Sequence, residues 1–177
     1  MPTFFERIKQ CALVEKSEKL SQVQSSLLCS RYPSISFQWN LTVAEALHQH
    51  QDDSFTICFS NEFFDALPVH IFHHTSDSWG ELLVDAIDVG DDAAFRFVQS
   101  PGPTAATQFF KIASHHPPRD FLEVSPETSH CCKLISQHLS KHKGLFFCAD
   151  YGSASVGDMS LRVRCYFPAA ISPPPHL

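Results

Sequence analysis

Two hydrophobic periods alternate along the first third of the chain. Short apolar runs of the kind that form strands are followed by stretches in which apolar residues recur every three or four positions, as on one face of a helix. The predicted strands lie at 11–15, 35–39 and 55–60. The helix after the first strand, over 17–28, carries a stripe formed by Leu20, Val23, Leu27 and Leu28. A second helix is predicted to start at Thr42, with Glu45 as its capping-box partner.

This succession of strands and helices predicts an α/β fold. Parallel strands that are joined by helices connect through right-handed crossovers, which place helices on both faces of a largely parallel sheet. In such a sheet, ligands bind at the carboxyl ends of the strands. Polar side chains that directly follow a strand are therefore candidates for a binding site.

Strand patterns and loop signals dominate the middle of the chain. Extended segments, the first two joined by a hairpin turn, are predicted at 69–72, 81–87, 93–98 and 121–124. Ser125 and Pro126 fit the N-cap and first position of a helix that reaches about Lys141 and is stopped by Gly144. The predicted buried stripe of this helix is Cys131, Leu134, Ile135, His138 and Leu139. A last apolar strand is predicted at 145–150.

Composition narrows the class of protein. With 177 residues, of which 44% are hydrophobic, the chain is long enough for one globular domain with a sizeable core. The net charge is −6 and the 13 basic residues are spread thinly, so nucleic acid is not an expected partner. No apolar run approaches the roughly 20 residues of a membrane-spanning helix. Residues 1–10 resemble neither a transit peptide nor a secretory signal, so no targeting segment is predicted there.

The cysteine and histidine residues predict neither disulfides nor a metal site. No C-x-x-C pair occurs among the seven cysteines, and Cys58 and Cys148 lie in apolar runs, where reduced, buried thiols are expected. His70 and His74 would share one face of a strand, but no cysteine or acidic residue completes a zinc-ligand spacing. We therefore expect an intracellular protein without a bound metal. The sequence also contains no G-x-S-x-G elbow and no Walker loop.

Three carboxylates follow predicted strands. Glu15, Glu62 and Asp150 all come at or just after the end of an apolar run. An acid at the end of the second strand of a nucleotide-binding sheet suits the two hydroxyl groups of a ribose. A single acid of this kind is more often a helix cap or a solvated charge. Three in equivalent places favour a ligand site over that alternative.

The segment 60–68 is the most distinctive part of the chain. Two aromatic residues, Phe63 and Phe64, stand between the carboxylates of Glu62 and Asp65 directly after a predicted strand. A core segment would not need the acids, and a solvated loop would not need the aromatic rings. The structural alternative is the start of a helix, whose dipole favours the acids while the rings enter the core.

Several blocks of the chain resemble the MidA-like protein arginine methyltransferases of mitochondria, a class I methyltransferase family. The matching segment around Glu15 resembles the second strand and following helix of that family, and the other blocks follow in the family's order. The blocks lie at 12–24, 37–39, 61–70, 79–88 and 123–152. The resemblance covers roughly residues 11–162.

The resemblance implies a cofactor, a substrate and roles for individual residues. The implied cofactor is S-adenosylmethionine, with Glu15 at its ribose, Trp39 near its adenine and Asn61 near the reacting methyl group. The implied substrate is a protein arginine in a subunit of respiratory complex I, in the mitochondrial matrix. Because a guanidinium is planar and binds carboxylates in a bidentate manner, Glu62 and Asp65 are the candidate catalytic residues, with Glu123 as a further candidate.

The chain also departs from the family pattern. No glycine occurs before Gly80, whereas the family's first strand should precede Glu15 and end in a glycine-rich loop that lets the backbone approach the cofactor. In the class I order, this first strand lies between strands two and four. We therefore expect an incomplete class I sheet that lacks strand one and the last strands. The strands at 11–15 and 55–60 should then either pair directly or flank a gap.

These expectations define a partial methyltransferase domain over 1–152, with a hairpin insertion near 69–120, and a mostly irregular C-terminal tail over 153–177. The expected function is protein arginine methylation in support of complex I assembly, with this chain by itself an inactive fragment. A non-catalytic binding or assembly module that retains the family's surfaces is the alternative. Measurable affinity for the cofactor would separate the first from the second.

Overall fold

A computed structural model describes residues 4–49, 54–74, 79–89, 92–110 and 121–151. The first six elements are α1 (Phe4–Arg7), β1 (Gln10–Val14), α2 (Glu18–Arg31), β2 (Ser36–Asn40), α3 (Val43–His48) and β3 (Thr56–Asn61). They are followed by β4 (His70–His74), β5 (Trp79–Val89), β6 (Asp92–Gln99), α4 (Ala105–Phe109), β7 (Phe121–Val124), α5 (Pro126–His142) and β8 (Gly144–Ala149). The predicted irregular tail over 153–177 lies outside the described residues.

The chain divides into two compact units. The first is formed by Met1–Asp65 together with Glu127–Asp150, and the second by Ala66–Pro126 together with Tyr151–Leu177. The first unit contains the predicted strand–helix units, and the second contains the hairpin region. Among the described residues, no helix is long and apolar enough to cross a membrane.

The first unit contains two separate pairs of parallel strands. β1 pairs with β2 from Gln10↔Ser36 onward, and β3 pairs with β8 from Thr56↔Gly144 onward. β1 and β3 do not pair with each other, and no strand in the described part of the chain pairs with both. The sequence predicted that these two strands would either pair directly or flank a gap. Direct pairing is wrong, and β1 and β3 are separate in the structure.

The helices of the first unit begin where the sequence predicts. Ser17 caps α2 by accepting a hydrogen bond from the backbone N–H of Leu20. Thr42 and Glu45 form the complete capping box at the start of α3. α5 starts at Pro126, as predicted, because proline lacks only a backbone donor that the first turn of a helix leaves unused.

The end of α5 differs in detail from the prediction. The residue that takes the left-handed conformation is Lys143, at φ 63°, and its N–H donates to the carbonyl of Leu139 at 2.9 Å. Gly144 instead allows a close approach. A Cβ atom there would collide with the carbonyl oxygen of Thr56 and the side chain of Leu139. A glycine is therefore required at this position because β8 begins there in close contact with β3.

The two long helices bury their apolar stripes to different extents. Ile135 of α5 is buried, and the other members of its predicted stripe are half-buried, which confirms that prediction. On α2, however, Leu20, Val23 and Leu27 are each more than half exposed. The predicted apolar stripe of α2 is present in the sequence, but the described chain does not cover it.

The second unit is built on an antiparallel sheet of four strands in the order β6-β5-β4-β7. β4, β5 and β6 are consecutive strands that form two hairpins, and short connections between neighbouring strands give antiparallel pairing. The hairpin predicted between 69–72 and 81–87 is present as the antiparallel pair of β4 and β5. The core contains Ile71 and the fully buried Phe72, whose ring meets that of Phe110 edge-on at a centroid distance of 6.2 Å.

The thiols are less buried than predicted. Six cysteines of the described residues are free, Cys58 is half-buried, and Cys148 is exposed. Burial raises the pKa of the Cys58 thiol. Cys148 lies on β8, which has β3 on one side and no described strand on the other, so its position in an apolar run does not bury it.

The buried carboxylate of Glu81, on β5, links β4 and the start of α4 through hydrogen bonds. Its Oε1 is 2.7 Å from Nδ1 of His70, and the hydroxyl of Thr104 donates to its Oε2. Burial alone would raise the pKa of this carboxyl. The hydrogen bonds from Thr104 and His70 and the charge of His70 outweigh burial and leave the pKa below its usual range.

Acid should therefore destabilise the second unit through Glu81. A carboxyl with a depressed folded-state pKa stabilises the fold fully above its unfolded-state pKa of about 4.3, and this stabilisation is lost as the pH falls through the folded-state value. We expect Glu81→Gln to cost about 1–3 kcal/mol at neutral pH and to flatten the loss of stability in acid. Thermal unfolding between about pH 7 and pH 3 measures both effects.

The matched control for Glu81 is Asp85→Asn in the same sheet. Asp85 forms an exposed ion pair with Arg96, with 2.9 Å between Oδ2 and Nη2. Exposed pairs of this kind contribute less than about 1 kcal/mol. An acid dependence that is the same for Glu81→Gln and Asp85→Asn would contradict the role assigned to Glu81.

Candidate functional site

The carboxyl end of the β1–β2 pair brings two of the predicted cofactor residues together. Glu15 follows β1 directly, and its Oε1 accepts a hydrogen bond from the backbone N–H of Ser17 at 2.8 Å. Its Oε2 accepts from Nε2 of Gln24 at 3.3 Å. The Oε1 of Gln24 in turn accepts from the indole N–H of Trp39 at 2.9 Å. Glu15 and Trp39 are therefore linked through one amide side chain.

Gln24 was not among the residues predicted for the site. It lies seven residues after the N-cap Ser17, which is close to two full turns of an α-helix, and so it falls on the helix face above Glu15. A polar residue at that spacing was the signal available in the sequence. The amide group is suited to this place because it can donate to a carboxylate and accept from an indole at the same time.

The half-buried carboxylate of Glu15 keeps acceptor capacity for a ligand. An ionised carboxylate offers about four lone-pair positions, and the hydrogen bonds from Ser17 and Gln24 occupy two of them. Trp39 is half-buried beside Phe37, with 6.1 Å between ring centroids. A carboxylate can accept hydrogen bonds from the hydroxyl groups of a ribose, and an aromatic ring beside it can face a base. These residues therefore fit an adenosine-containing cofactor.

The carboxyl end of the β3–β8 pair carries the second group of predicted residues. Asn61 is the last residue of β3 and is exposed. Glu62 follows it with a left-handed backbone at φ 48°, and its N–H donates to the carbonyl of Ala149 at 2.8 Å. A left-handed residue other than glycine is strained by about 1–3 kcal/mol, and such residues cluster at functional sites.

The turn after Glu62 is anchored by Asp150, the third predicted strand-end acid. Its Oδ2 accepts a hydrogen bond from the backbone N–H of Phe64 at 2.8 Å. The ring of Phe64 packs edge-on against Phe63, with 5.1 Å between centroids, and against Phe146, with 6.1 Å between centroids. Glu62 and Asp65 remain exposed. The alternative prediction of a helix start is wrong, because residues 62–69 contain no helical turn and form a loop with a turn at 65–66.

A buried hydroxyl lies next to this turn. The Oγ atom of Ser60 is shielded from solvent and has no hydrogen-bond partner among the described residues. A buried polar atom without a partner costs roughly 1–3 kcal/mol, and a hydrogen bond to a bound group would remove this cost. The position suits a hydrogen bond to a bound group at the carboxyl end of β3.

The structure thus assembles two clusters in the first unit. Glu15, Gln24 and Trp39 form one at the β1–β2 pair, and Asn61, Glu62 and Asp65 belong to the other at the β3–β8 pair. No strand pairing connects the two pairs of strands that carry these clusters within the described ranges. Glu123, the further candidate, lies on β7 of the second unit.

An open cavity of the first unit is not part of either cluster. It has a volume of about 550 Å³ and is open, and it lies between α3 and α5, where it is lined by residues such as Leu47 and Leu134. The C-terminal turns of these helices lead toward the amino ends of β3 and β8. Ligands of parallel sheets bind at the opposite, carboxyl ends.

The chain belongs to the family of S-adenosyl-L-methionine-dependent methyltransferases, whose family model matches residues 1–174. The resemblance inferred from the sequence blocks is confirmed, and the family is one of enzymes that depend on S-adenosyl-L-methionine.

The similar curated proteins are mitochondrial protein arginine methyltransferases named NDUFAF7. The Xenopus tropicalis protein is 31% identical over 153 residues, which cover 79% of this chain and 35% of the relative. The Danio rerio protein is 33% identical over 152 residues, which cover 79% and 35%. The human protein is 30% identical over 171 residues, which cover 86% and 37%. The chain therefore spans little more than a third of the length of these relatives.

Proposed function

We propose that this chain supplies the nucleoside-binding and guanidinium-binding strand ends of an S-adenosylmethionine-dependent protein arginine methyltransferase. The observation that carries the proposal is that a carboxylate residue fixed by hydrogen bonds lies at the carboxyl end of each of the two parallel strand pairs. Glu15 is fixed beside Trp39 through Gln24, and Glu62 is fixed on a turn that Asp150 anchors. In line with the names of its relatives, the proposed location is the mitochondrion and the proposed substrate is a protein arginine. From the sequence resemblance we further propose the matrix as the compartment and a subunit of respiratory complex I as the protein that carries this arginine.

The cofactor side of the proposed site is the first cluster. S-adenosylmethionine supplies a methyl group on a sulfonium, which is activated for transfer to a nucleophile. Glu15 would accept hydrogen bonds from the ribose hydroxyls with its unused lone pairs, and Trp39 would face the adenine. Asn61, at the end of β3, would lie near the reacting group, where its amide can orient either partner.

The substrate side of the proposed site is the second cluster. Glu62 and Asp65 would bind the guanidinium, because a planar fork of N–H donors pairs well with carboxylates. The attacking nitrogen forms a bond to the methyl carbon, the carbon–sulfur bond breaks with its electron pair left on sulfur, and one proton leaves the nitrogen. The exposed carboxylates can pass this proton to water. Catalysis of this kind relies mainly on positioning and charge.

The function is tested by single-turnover methylation in a protein that joins this segment to the rest of a family methyltransferase. Transfer of a labelled methyl group to an arginine peptide is expected, and a peptide with lysine in place of arginine should not be methylated. Label on lysine, or on no peptide despite bound cofactor, would contradict arginine as the substrate.

Removal of the Glu15 carboxylate should weaken cofactor binding. In the same protein, we expect Glu15→Ala to reduce the free energy of S-adenosylmethionine binding by about 1–3 kcal/mol, because the ribose hydroxyls lose a charged acceptor. Calorimetric titration measures the dissociation constant. The matched control is Glu18→Ala, which removes an exposed acid from the first turn of α2. Equal dissociation constants for both variants would leave Glu15 only a structural role, through its contacts with Ser17 and Gln24 of α2.

A non-catalytic binding or assembly module is the second candidate. The observation that favours it is the exposed apolar stripe of α2, formed by Leu20, Val23 and Leu27, because exposed apolar faces are typical of surfaces that bind other proteins. Calorimetry on the chain itself distinguishes the two candidates. Affinity for S-adenosylmethionine supports a cofactor site, whereas a partner that is retained in a pull-down without such affinity supports a module.

A further inference from the structure

β5 and β6 form a hairpin that extends beyond the four-stranded sheet of the second unit. β4 pairs with β5 only as far as Leu82, whereas β5 and β6 stay paired from there to Val89↔Asp92. Among the described residues, no third strand pairs with the outer part of this hairpin, residues 83–98, which we call the β5–β6 arm. At about 3.4 Å per residue, the arm is roughly 20 Å long. A hairpin of two strands is at best marginally stable in water by itself.

One face of the β5–β6 arm is apolar. Val84 lies opposite Phe97, and Ala86 lies opposite Phe95. Residues that are opposite each other in an antiparallel ladder point to the same face, as do alternate residues of one strand, so these four share a face. Val84 is 62% exposed and Phe95 is 52% exposed. Three or more strands with a hydrophobic face make a stable sheet, and the arm has such a face but only two strands.

The outer edge of β6 offers backbone groups for a further strand. β6 is at the end of the sheet order, so this edge is unpaired within the part of the chain that the structure describes. The N–H of Ser100 donates to the carbonyl of Glu81 at 2.8 Å, and backbone groups alternate between the two edges of a strand. The N–H and C=O groups of Ala93, Phe95 and Phe97 therefore point away from β5. An edge of this kind readily accepts another strand.

The charges on β6 are complementary to those of a second copy of the same strand. A two-fold axis perpendicular to the sheet brings β6 against β6 of the second copy in an antiparallel ladder. With the axis at Ala94, Asp92 of each copy lies opposite Arg96 of the other, because these residues stand two positions to either side of it. An axis at Arg96 would place two like charges opposite each other, and an axis at Phe95 would leave Arg96 opposite an alanine. Arg96, which already pairs with Asp85, would then lie between two carboxylate residues.

We propose that the chain forms a two-fold symmetric dimer in which β6 pairs with β6 of a second copy, with the axis at Ala94. The two arms then form one sheet in the order β5-β6-β6-β5, which has enough strands and an apolar face to be stable. The pairing uses the free edge of β6 in both copies, so the assembly closes at two chains. The dimer involves the second unit alone and does not rest on the proposed methyl transfer.

The test begins with the oligomeric state of the full chain. Sedimentation equilibrium over a series of concentrations should show a monomer in equilibrium with a dimer. Hydrogen exchange at the backbone amides of Ala93 and Phe95 should slow as the dimer forms, because in the Ala94 register these groups bond to the second copy. The amide of Arg96, which faces β5 within the same chain, should change much less and serves as the internal control.

Charge reversals identify the register. Arg96→Asp and Asp92→Arg each turn two attractive pairs of the dimer into two repulsive ones, so each variant alone should dimerise about tenfold more weakly, or worse. An equimolar mixture of the two variants should recover the affinity, because every residue 92 then faces the opposite charge at residue 96. Loss of the Asp85–Arg96 pair within one chain cannot explain such a recovery. The matched control is Lys133→Asp, an exposed site on α5 of the first unit, which should leave dimerisation unchanged.

Several results would overturn the proposed dimer. They are a chain that stays monomeric at every concentration, a dimer that neither charge reversal weakens, and a mixture of the two variants that associates no better than either alone. Protection of the Phe95 amide that does not depend on concentration would also contradict it, since another part of the same chain would then cover the edge. None of these measurements involves a cofactor or methyl transfer, so a dimer that fails to methylate arginine would count against the proposed function alone.

Discussion

Replacement of Glu62 by glutamine is expected to slow methyl transfer by about tenfold to a thousandfold, the range for loss of one charge-stabilising group, with affinity for S-adenosylmethionine nearly unchanged. Glutamine keeps the shape of the side chain and removes its charge. Because Glu62 is exposed, a guanidinium can reach its carboxylate directly, and the expected loss is that of a charge-assisted pair of hydrogen bonds.

Single-turnover methylation of an arginine peptide, with a parallel cofactor titration, measures the effect of Glu62→Gln in a protein that carries the rest of the methyltransferase. Glu127→Gln is the matched control, since Glu127 is an exposed acid in the first turn of α5. Loss of cofactor binding with normal transfer would show that Glu62 binds the cofactor and not the guanidinium. Unchanged transfer and binding would make it an acid of structural importance only.

Truncation of Phe72 should have the largest effect on stability. Its side chain is fully buried in the second unit, between the strands that flank β4, where its register partners are Glu81 and Leu122. We expect Phe72→Ala to lower the free energy of unfolding by about 3–5 kcal/mol, because it removes a large buried ring and leaves a cavity. In a unit of this size, each kcal/mol lowers the unfolding midpoint by roughly 4–8 °C.

Phe109→Ala is the matched control for the change at Phe72. It is the same substitution in the same unit, but the Phe109 side chain is 79% exposed, and exposed positions usually change stability by less than about 0.5 kcal/mol. Thermal melts of both variants, followed by near-ultraviolet circular dichroism, measure the difference. Similar midpoints would show that the sheet around Phe72 is not a packed core in solution.

The local elements of the first unit could be read from the sequence because their signals are local. The capping box of Thr42 and Glu45 and the Ser125–Pro126 start of α5 each depend on residues within one turn of the helix. Strand positions followed from short apolar runs for the same reason. α1 and α4 were missed, since helices of four and five residues are too short to show a hydrophobic period.

Features that depend on distant parts of the chain could not be read in this way. The antiparallel pairing of β4 with β7 joins His70 to Val124 across many residues of sequence, and no local pattern encodes a partner. The exposure of the α2 stripe has the same origin, because periodicity shows that a face is apolar but not whether anything covers it. Glu15 and Trp39 were both predicted, but the amide of Gln24 that links them becomes visible only when strand and helix are placed together.

At Glu62, the residue that would be most stable differs from the residue that the proposed chemistry needs. At φ 48° the residue that suits the backbone best is glycine, which has no carboxylate to offer. Directed evolution that selects only for a higher melting temperature should therefore tend to replace this glutamate, and selection for activity should retain it. If the proposed chemistry is right, thermostabilised variants with glycine at this position would be a recognisable class of well-folded, inactive proteins.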